Sequence, residues 1–372
     1  MSVIRTRSPY IIWQQAAGLS SAQLQIYVWN GAETDVPSKP VYVLNKNSIN
    51  DTLSFDISEL LSDFIDINFG GFYLNRVNTW CKTSLTGFNS IGEEIINNDT
   101  IDLVVDGYNY FENPYEVYPD VLISNREIFV LDGEKFVLPF YLGLSDLDIS
   151  LINKSGVLEK VTLSKSLGVD IRYLQIGDYS NTFKNRVDLD GGIYEDSTCI
   201  NVFDYFLNDI DKIIIEGQFS NTTIKVKTIS ECKFEPKKIT FVNKFGVLQD
   251  MFFFKKSVEK IAVKKESYRA NTFNIASGNF QRTKHTKRDF NITAIESVTL
   301  NSGYLSEEYN EVFKQLMLSE KVWLTNYVDG AEQVLPVNVN SKGITYKTSV
   351  NDRLVDYAIE FENSFNAINN VR

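Results

Sequence analysis

The chain has 372 residues, with 37 Lys+Arg against 48 Asp+Glu, a formal net charge of −11. Its 43% hydrophobic content, including 13% aromatics, suffices for packed cores and excludes wholesale disorder; the length suggests two or three domains at about 100–200 residues each. A single histidine, His285, excludes every site that needs two imidazoles.

Residues 1–116 open with a polar, extended stretch. Leu24 to Trp29 then alternates as a strand and meets a turn signal at Asn30-Gly31. Val41–Leu44 and Leu53–Ile57 read as further strands. Ser58 is placed to cap a short helix, with Leu60, Leu61, Phe64 and Ile65 at helical spacing. Strands are expected again from Phe72 to Trp80 and over Ile101–Val105. The pattern is that of a β-sandwich with one inserted helix.

Residues 117–236 read almost wholly as strands. Ile128–Leu131 and Glu134–Leu138 flank Asp132-Gly133, a pair suited to a type I′ hairpin turn. A second hairpin is expected around Lys154-Ser155-Gly156, between Leu147–Asn153 and Val157–Leu163. Ile171–Ile176, Cys199–Phe203, Lys212–Glu216 and Thr223–Ile229 follow at sandwich or barrel spacing.

Residues 237–372 begin with Ile239–Val242 and Val247–Phe254, a hairpin joined through Asn243-Lys244-Phe245-Gly246. A helix is expected from Ser306 as its cap, with Tyr309, Val312, Phe313, Leu316 and Met317 as its apolar stripe. Val322–Leu324, Val334–Val339, Ile344–Val350 and Leu354–Phe361 complete the strands. In the last, Val355, Tyr357, Ile359 and Phe361 share one face. The expectation is all-β: several β-sandwich or barrel domains over 1–116, 117–236 and 237–372, with short helices near 58–66 and 306–318. Ala, the best helix former, occurs 11 times against 34 Asn, a turn residue, which agrees with that reading.

No apolar run approaches the ~18 residues of a membrane span, and Arg5 and Arg7 are not followed by the apolar segment of a secretory signal. Cys81, Cys199 and Cys232 are odd in number, far apart and without a Cys-x-x-Cys, so packed thiols are expected and neither a disulfide framework nor a zinc site. Phosphate loops, dinucleotide fingerprints, His-Glu-x-x-His and Gly-x-Ser-x-Gly are absent. Asp188, Asp190, Glu195 and Asp196 crowd around Gly191-Gly192, but the spacing fails the calcium-loop pattern, and a solvated hairpin tip is the simpler reading. No catalytic, cofactor-binding or metal residue is assigned.

The window 255–289 is basic. It holds Lys255, Lys256, Lys260, Lys264, Lys265, Arg269, Arg282, Lys284, Lys287 and Arg288 against Glu259, Glu266 and Asp289, a local +7 in a −11 chain. Two solvated strands joined by a long loop over 269–287 account for it. So does electrostatic docking onto an acidic copy or partner, which would fix orientation and register. The acidic balance elsewhere argues against nucleic acid. Trp13, Trp29, Trp80 and Trp323, with the aromatic run Tyr108 to Tyr115, leave a glycan as an alternative ligand, against the simpler reading of core packing.

The early Leu24-Gln25-Ile26-Tyr27-Val28-Trp29-Asn30-Gly31, Phe55–Leu61, Ile239–Gly246 and the terminal Leu354–Glu362 together resemble virion structural proteins of tailed bacteriophages with AT-rich genomes, notably crAss-like and related phages of Bacteroidetes hosts. The resemblance implies a tail, neck-ring or baseplate component of β-sandwich domains. It would form a homo-oligomeric ring with other phage structural proteins, assemble in the host bacterial cytoplasm and reside in the virion. No functional residue comes with it. A carbohydrate-binding tail adhesin is the alternative, and a polysaccharide-degrading enzyme a more distant one.

Overall fold

The computed structural model describes residues 2–368 apart from 72, 74–76, 115, 133, 135, 144–145, 154–155, 165–169, 177–201, 204–209, 218–220, 281–282, 329–330 and 346–353. The fold is all-β, with two short helices. Its sheets group along the chain in three stretches.

The first group contains β1 (Val3–Arg5), β2 (Ile11–Gln15), β3 (Ser21–Asn30), β4 (Tyr42–Asn47), β5 (Thr52–Asp56), helix α1 (Ser58–Ser62), β6 (Thr79–Phe88) and β7 (Glu94–Val105). Five strands form one sheet in the order β1-β7-β6-β3-β4, and β2 pairs with β5 in a small second sheet. Period-two alternation aims Ala22, Leu24 and Ile26 of β3 inward, where they meet Leu53, Phe55, Ile57 and Leu61. The outward face of β3 carries a hydrogen-bonded ladder: Tyr27 Oη donates to Gln25 at 2.8 Å, Gln25 to Gln23 at 3.1 Å and Gln23 to Asn45 at 3.1 Å.

Two expectations change here. Ser58 is not the helix cap. Ile57 holds that position, and the carboxylate of Asp56 accepts from the Ser58 amide at 3.2 Å and hydroxyl at 2.8 Å. An Asx turn from Asp56 does the work assigned to Ser58. Of the strand expected from Phe72 to Trp80, Thr79 and Trp80 belong to β6, residues 73, 77 and 78 are irregular, and residues 72 and 74–76 lie outside the described residues.

The second group contains β8 (Glu127–Leu131), β9 (Phe136–Tyr141), β10 (Leu147–Asn153), β11 (Gly156–Leu163), β12 (Ile171–Ile176), β13 (Val202–Phe203), β14 (Lys212–Glu216) and β15 (Asn221–Ile229). They form two sheets, ordered β11-β10-β14-β15-β8 and β13-β12-β9. The β10–β11 hairpin forms as expected. The Asp132-Gly133 hairpin does not, because β8 pairs in parallel with β15 and β9 pairs with β12 of the other sheet. The burial patterns explain this. β8 alternates, as a strand with one buried face does, whereas all six residues of β9 are buried. Phe136, Leu138 and Phe140 of β9 pack into one core while Val137 and Tyr141 pack into another, so the strand must leave its sequence neighbour to be covered on both faces.

The third group contains β16 (Lys237–Val242), β17 (Leu248–Phe253), β18 (Val258–Arg269), β19 (Phe273–Asn274), β20 (Asn279–Phe280), β21 (Lys287–Asn301), β22 (Leu305–Ser306), helix α2 (Tyr309–Met317), β23 (Val322–Val328), β24 (Ala331–Val339), β25 (Leu354–Val355) and β26 (Ala358–Asn363). Seven strands make one sheet in the order β17-β16-β23-β24-β26-β21-β18. Of the α2 stripe, Tyr309, Val312, Phe313 and Leu316 are buried and Met317 is half-buried, with Phe313 edge-on to Phe253 at 6.3 Å and Tyr357 at 4.7 Å. Its N-cap is Glu308 and not Ser306, which instead belongs to β22 and pairs with Leu354. The last expected strand is broken at Asp356 and Tyr357, yet Val355, Tyr357, Ile359 and Phe361 are all buried. Of the expected Ile344–Val350 strand, residues 344–345 are irregular and 346–350 lie outside the described residues.

The three groups meet in a common core. Trp80, Leu103 and Val105 of the first touch Leu122, Tyr141 and Tyr173 of the second and Val242, Phe245, Leu248 and Trp323 of the third. The four-residue loop 243–246 is the keystone. Lys244 bonds Glu116 at 2.8 and 3.0 Å, and Arg5 reaches the same carboxylate at 3.4 Å while stacking over Tyr118 and Phe245. The Tyr108 amide donates to the Lys244 carbonyl at 2.9 Å. This approach requires Gly107, where a Cβ would lie 2.5 Å from the Lys244 oxygen, and Gly246, at φ +74° and pressed on the Asp106 backbone.

Candidate functional site: an exposed basic arm

The basic window forms a two-stranded ribbon that leaves the body. β18 pairs with β21 from Val258↔Thr299 out to Arg269↔Lys287. β26 supports β21 only over Ser297–Asn301, so Lys287–Glu296 has β18 as its sole strand partner among the described residues. All twelve residues of β18 are exposed. Near the tip Phe273 and Phe280 pair across β19 and β20, with ring centroids 5.3 Å apart. The register slips once, between Lys264 and Glu266, where β21 carries one residue more and Asn291 takes a left-handed φ of 50°.

The sequence explains why the ribbon stands free. One face of β18 presents Glu259, Ile261, Val263 and Lys265, and the other Val258, Lys260, Ala262 and Lys264. Charges fall on both faces, so neither can enter a core without burying an unpaired ion.

The structure brings most of the predicted residues together on this arm. Lys260, Lys264, Lys265 and Arg269 lie on β18 and Lys287 and Arg288 on β21, all exposed. Lys284 and His285 are exposed near the tip, Lys256 is exposed before β18, and Arg282 lies outside the described residues. Two members are already engaged. Lys265 pairs with Asp289 at 2.6 Å and holds that carboxyl below the usual range through its hydrogen bond. Lys255 sits at the base, 2.8 Å from Glu231, and lowers that carboxyl in the same way.

The apolar content of the arm was not anticipated. Val258, Ile261, Val263, Tyr268, Phe273, Ile275, Phe280, Phe290 and Ile292 are all exposed. They are nine of the 24 exposed large hydrophobics among the described residues, although the arm is about a tenth of the chain. The readable signal was β-branched residues on strands with no charge-free face. Such clustering marks an interaction surface.

At the arm's base a groove of about 460 Å³ opens between β18, β21, β23 and β24. Glu259, Glu296, Lys237 and Lys260 line it beside Ile261, Val298, Leu324 and Leu335. It mixes both charge signs over an apolar floor, a lining suited to a polypeptide segment.

The aromatic candidates divide. Trp80 and Trp323 are buried, and the half-buried Trp29 donates to the Ala32 carbonyl at 2.8 Å. Trp13 on β2 is 59% exposed. In the Tyr108–Tyr115 run, Tyr108 is buried, Tyr110 donates to Glu311 at 2.8 Å beneath the Lys314 ammonium, and Phe111 is exposed. The acidic cluster Asp188, Asp190, Glu195 and Asp196, with Cys199, lies outside the described residues. Among the described residues no group of three His, Cys, Asp or Glu is arranged to hold a metal, and no helix is long and apolar enough to cross a membrane. Neither protein-family models nor curated proteins match this chain.

Proposed function

We propose that this protein is a structural component of a bacteriophage virion, in the tail, neck ring or baseplate. It acts by fitting its surfaces to neighbouring virion proteins and carries out no chemistry of its own. The observation that carries the reading is the arm: a ribbon some ten residue pairs long, apolar and cationic, whose β18 strand and outer half of β21 are exposed throughout among the described residues. A surface of that kind is costly to leave in water and finds its use against a partner. The early and terminal motifs that resemble phage virion proteins add the setting.

The test has two parts. Purified particles should contain the protein, assembled in the host cytoplasm, and the purified chain should associate in a concentration series followed by mass photometry. A monodisperse monomer that is absent from particles overturns the proposal. A glycan-binding adhesin draws on one observation, the exposed pair Ile11 and Trp13 on β2. Saturable binding on a glycan array, lost in Trp13→Ala, would favour it.

A further inference from the structure

We infer that the arm seats on a second copy of this chain, by strand addition to the open edge of β7 between Glu94 and Thr100. The inference rests on the assembly reading above and names its partner. Two unpaired sheet edges carry it. β18 is the terminal strand of the seven-stranded sheet, so one side of its backbone faces solvent throughout Val258–Arg269. β7 pairs with β6 along its length, but on its other side, among the described residues, only with β1, at Leu103–Val105. Seven residues from Glu94 to Thr100 therefore present an open ladder about 23 Å long at ~3.3 Å per residue, and β18 with twelve residues is long enough to cover it.

Charge favours this edge over the opposite edge of the same sheet. Residues 1–116 hold six Lys/Arg against fourteen Asp/Glu, a net −8, whereas residues 258–296 of the arm hold eight Lys/Arg against four Asp/Glu, a net +4. The open edge carries Glu94, Ile95 at 40% exposure and Asp99, and Ile91 at 76% and Glu93, which accepts from Asn89 at 3.0 Å, precede it in the turn. It offers Glu94, the exposed Ile95 and the polar run Asn97 to Asp99 to a strand that offers Lys260, Ile261, Val263 and Lys264. The opposite edge of the same sheet, β4, carries Lys46 and lacks acids. Each copy then donates one arm and one edge. That is a head-to-tail contact, the kind that builds rings or filaments.

The experiment uses full-length protein and reversed charges. An edge variant, Glu93→Lys/Glu94→Lys, leaves out Asp99 because Lys82 already holds it at 2.8 Å. An arm variant is Lys260→Glu/Lys264→Glu. Each alone should weaken self-association by about tenfold or more, from like charges facing across the contact. A one-to-one mixture should recover mixed pairs, which a misfolded variant cannot do. If the arm variant loses association and the edge variant keeps it, this seat is wrong and arm-driven assembly stands. If both associate like the wild type, the arm is not the contact and this inference falls, with the virion reading left to the particle test. A wild type that stays monomeric at every concentration overturns the second-copy partner, leaving the virion reading to the particle test.

Discussion

The three-way core and the arm are built from the same residue types and use them in opposite ways. At the core, Lys244 and Arg5 converge on Glu116 and are ringed by Phe245 and Tyr118. On the arm, Lys264 and Arg269 stand in solvent beside exposed Val263 and Tyr268. An ion pair, an aromatic ring and a close glycine contact lock the first region against its own chain. The second pairs only within the ribbon, through Lys265–Asp289, Tyr268–Phe290 and Phe273–Phe280, and among the described residues has no complement on the body of the chain. Residue type alone does not decide whether a surface serves folding or association; what decides it is whether a complement lies on the same chain.

Substitutions sharpen this contrast, and the largest effects are expected at the core. Trp80→Ala empties a 2%-exposed site and should cost about 3–5 kcal/mol in denaturant titration. Trp13→Ala, at 59% exposure, should stay within about 0.5 kcal/mol. Equal costs for the two tryptophans would break the distinction. Glu116→Gln strips the shared carboxylate from Lys244 and Arg5 and should cost about 2–3 kcal/mol, discounted from a fully buried pair because Glu116 is a quarter exposed. Gly107→Ala should cost about 1–3 kcal/mol by forcing loop 243–246 off the first sheet group, measured the same way.

Alkaline titration probes the core more gently. Burial pushes the Cys81 thiol and the Tyr108 and Tyr141 phenols up to about 12. The folded state holds these protons more tightly than the unfolded chain, so their contribution is complete below about pH 9. Thermal stability should fall progressively as the pH rises from there toward 12. A flat melting temperature over that window would contradict it. The smallest effect on stability belongs to the arm. Replacing 264–293 by Asn-Gly should change stability by less than about 0.5 kcal/mol while abolishing self-association; a large loss of stability would show that the ribbon serves the fold after all.

Much of this architecture was legible in the residues. Strands such as β3 and β15 alternate cleanly, and the α2 stripe declares its buried face. What stayed hidden depended on distant partners. β1 is defined by pairing with β7, a hundred residues on, and β2 by pairing with β5, about forty residues on, and nothing local in Val3–Arg5 marks a strand. The Asp132-Gly133 turn chemistry was sound locally, but a second core on the far side of β9 outweighed it. At the candidate site, charge was readable from composition. The extension of the ribbon was not, because it depends on β26 supporting β21 over only five residues.

One backbone angle on the ribbon has a reach beyond its size. With an additional residue at Asn291, the two sides of the hairpin differ in contour length, and the ribbon must coil there. That coil aims the tip. If copies join head to tail through the β18 edge as proposed, a fixed heading would decide whether successive additions return to the start or climb into a spiral, and the backbone at Asn291 would help to set that heading.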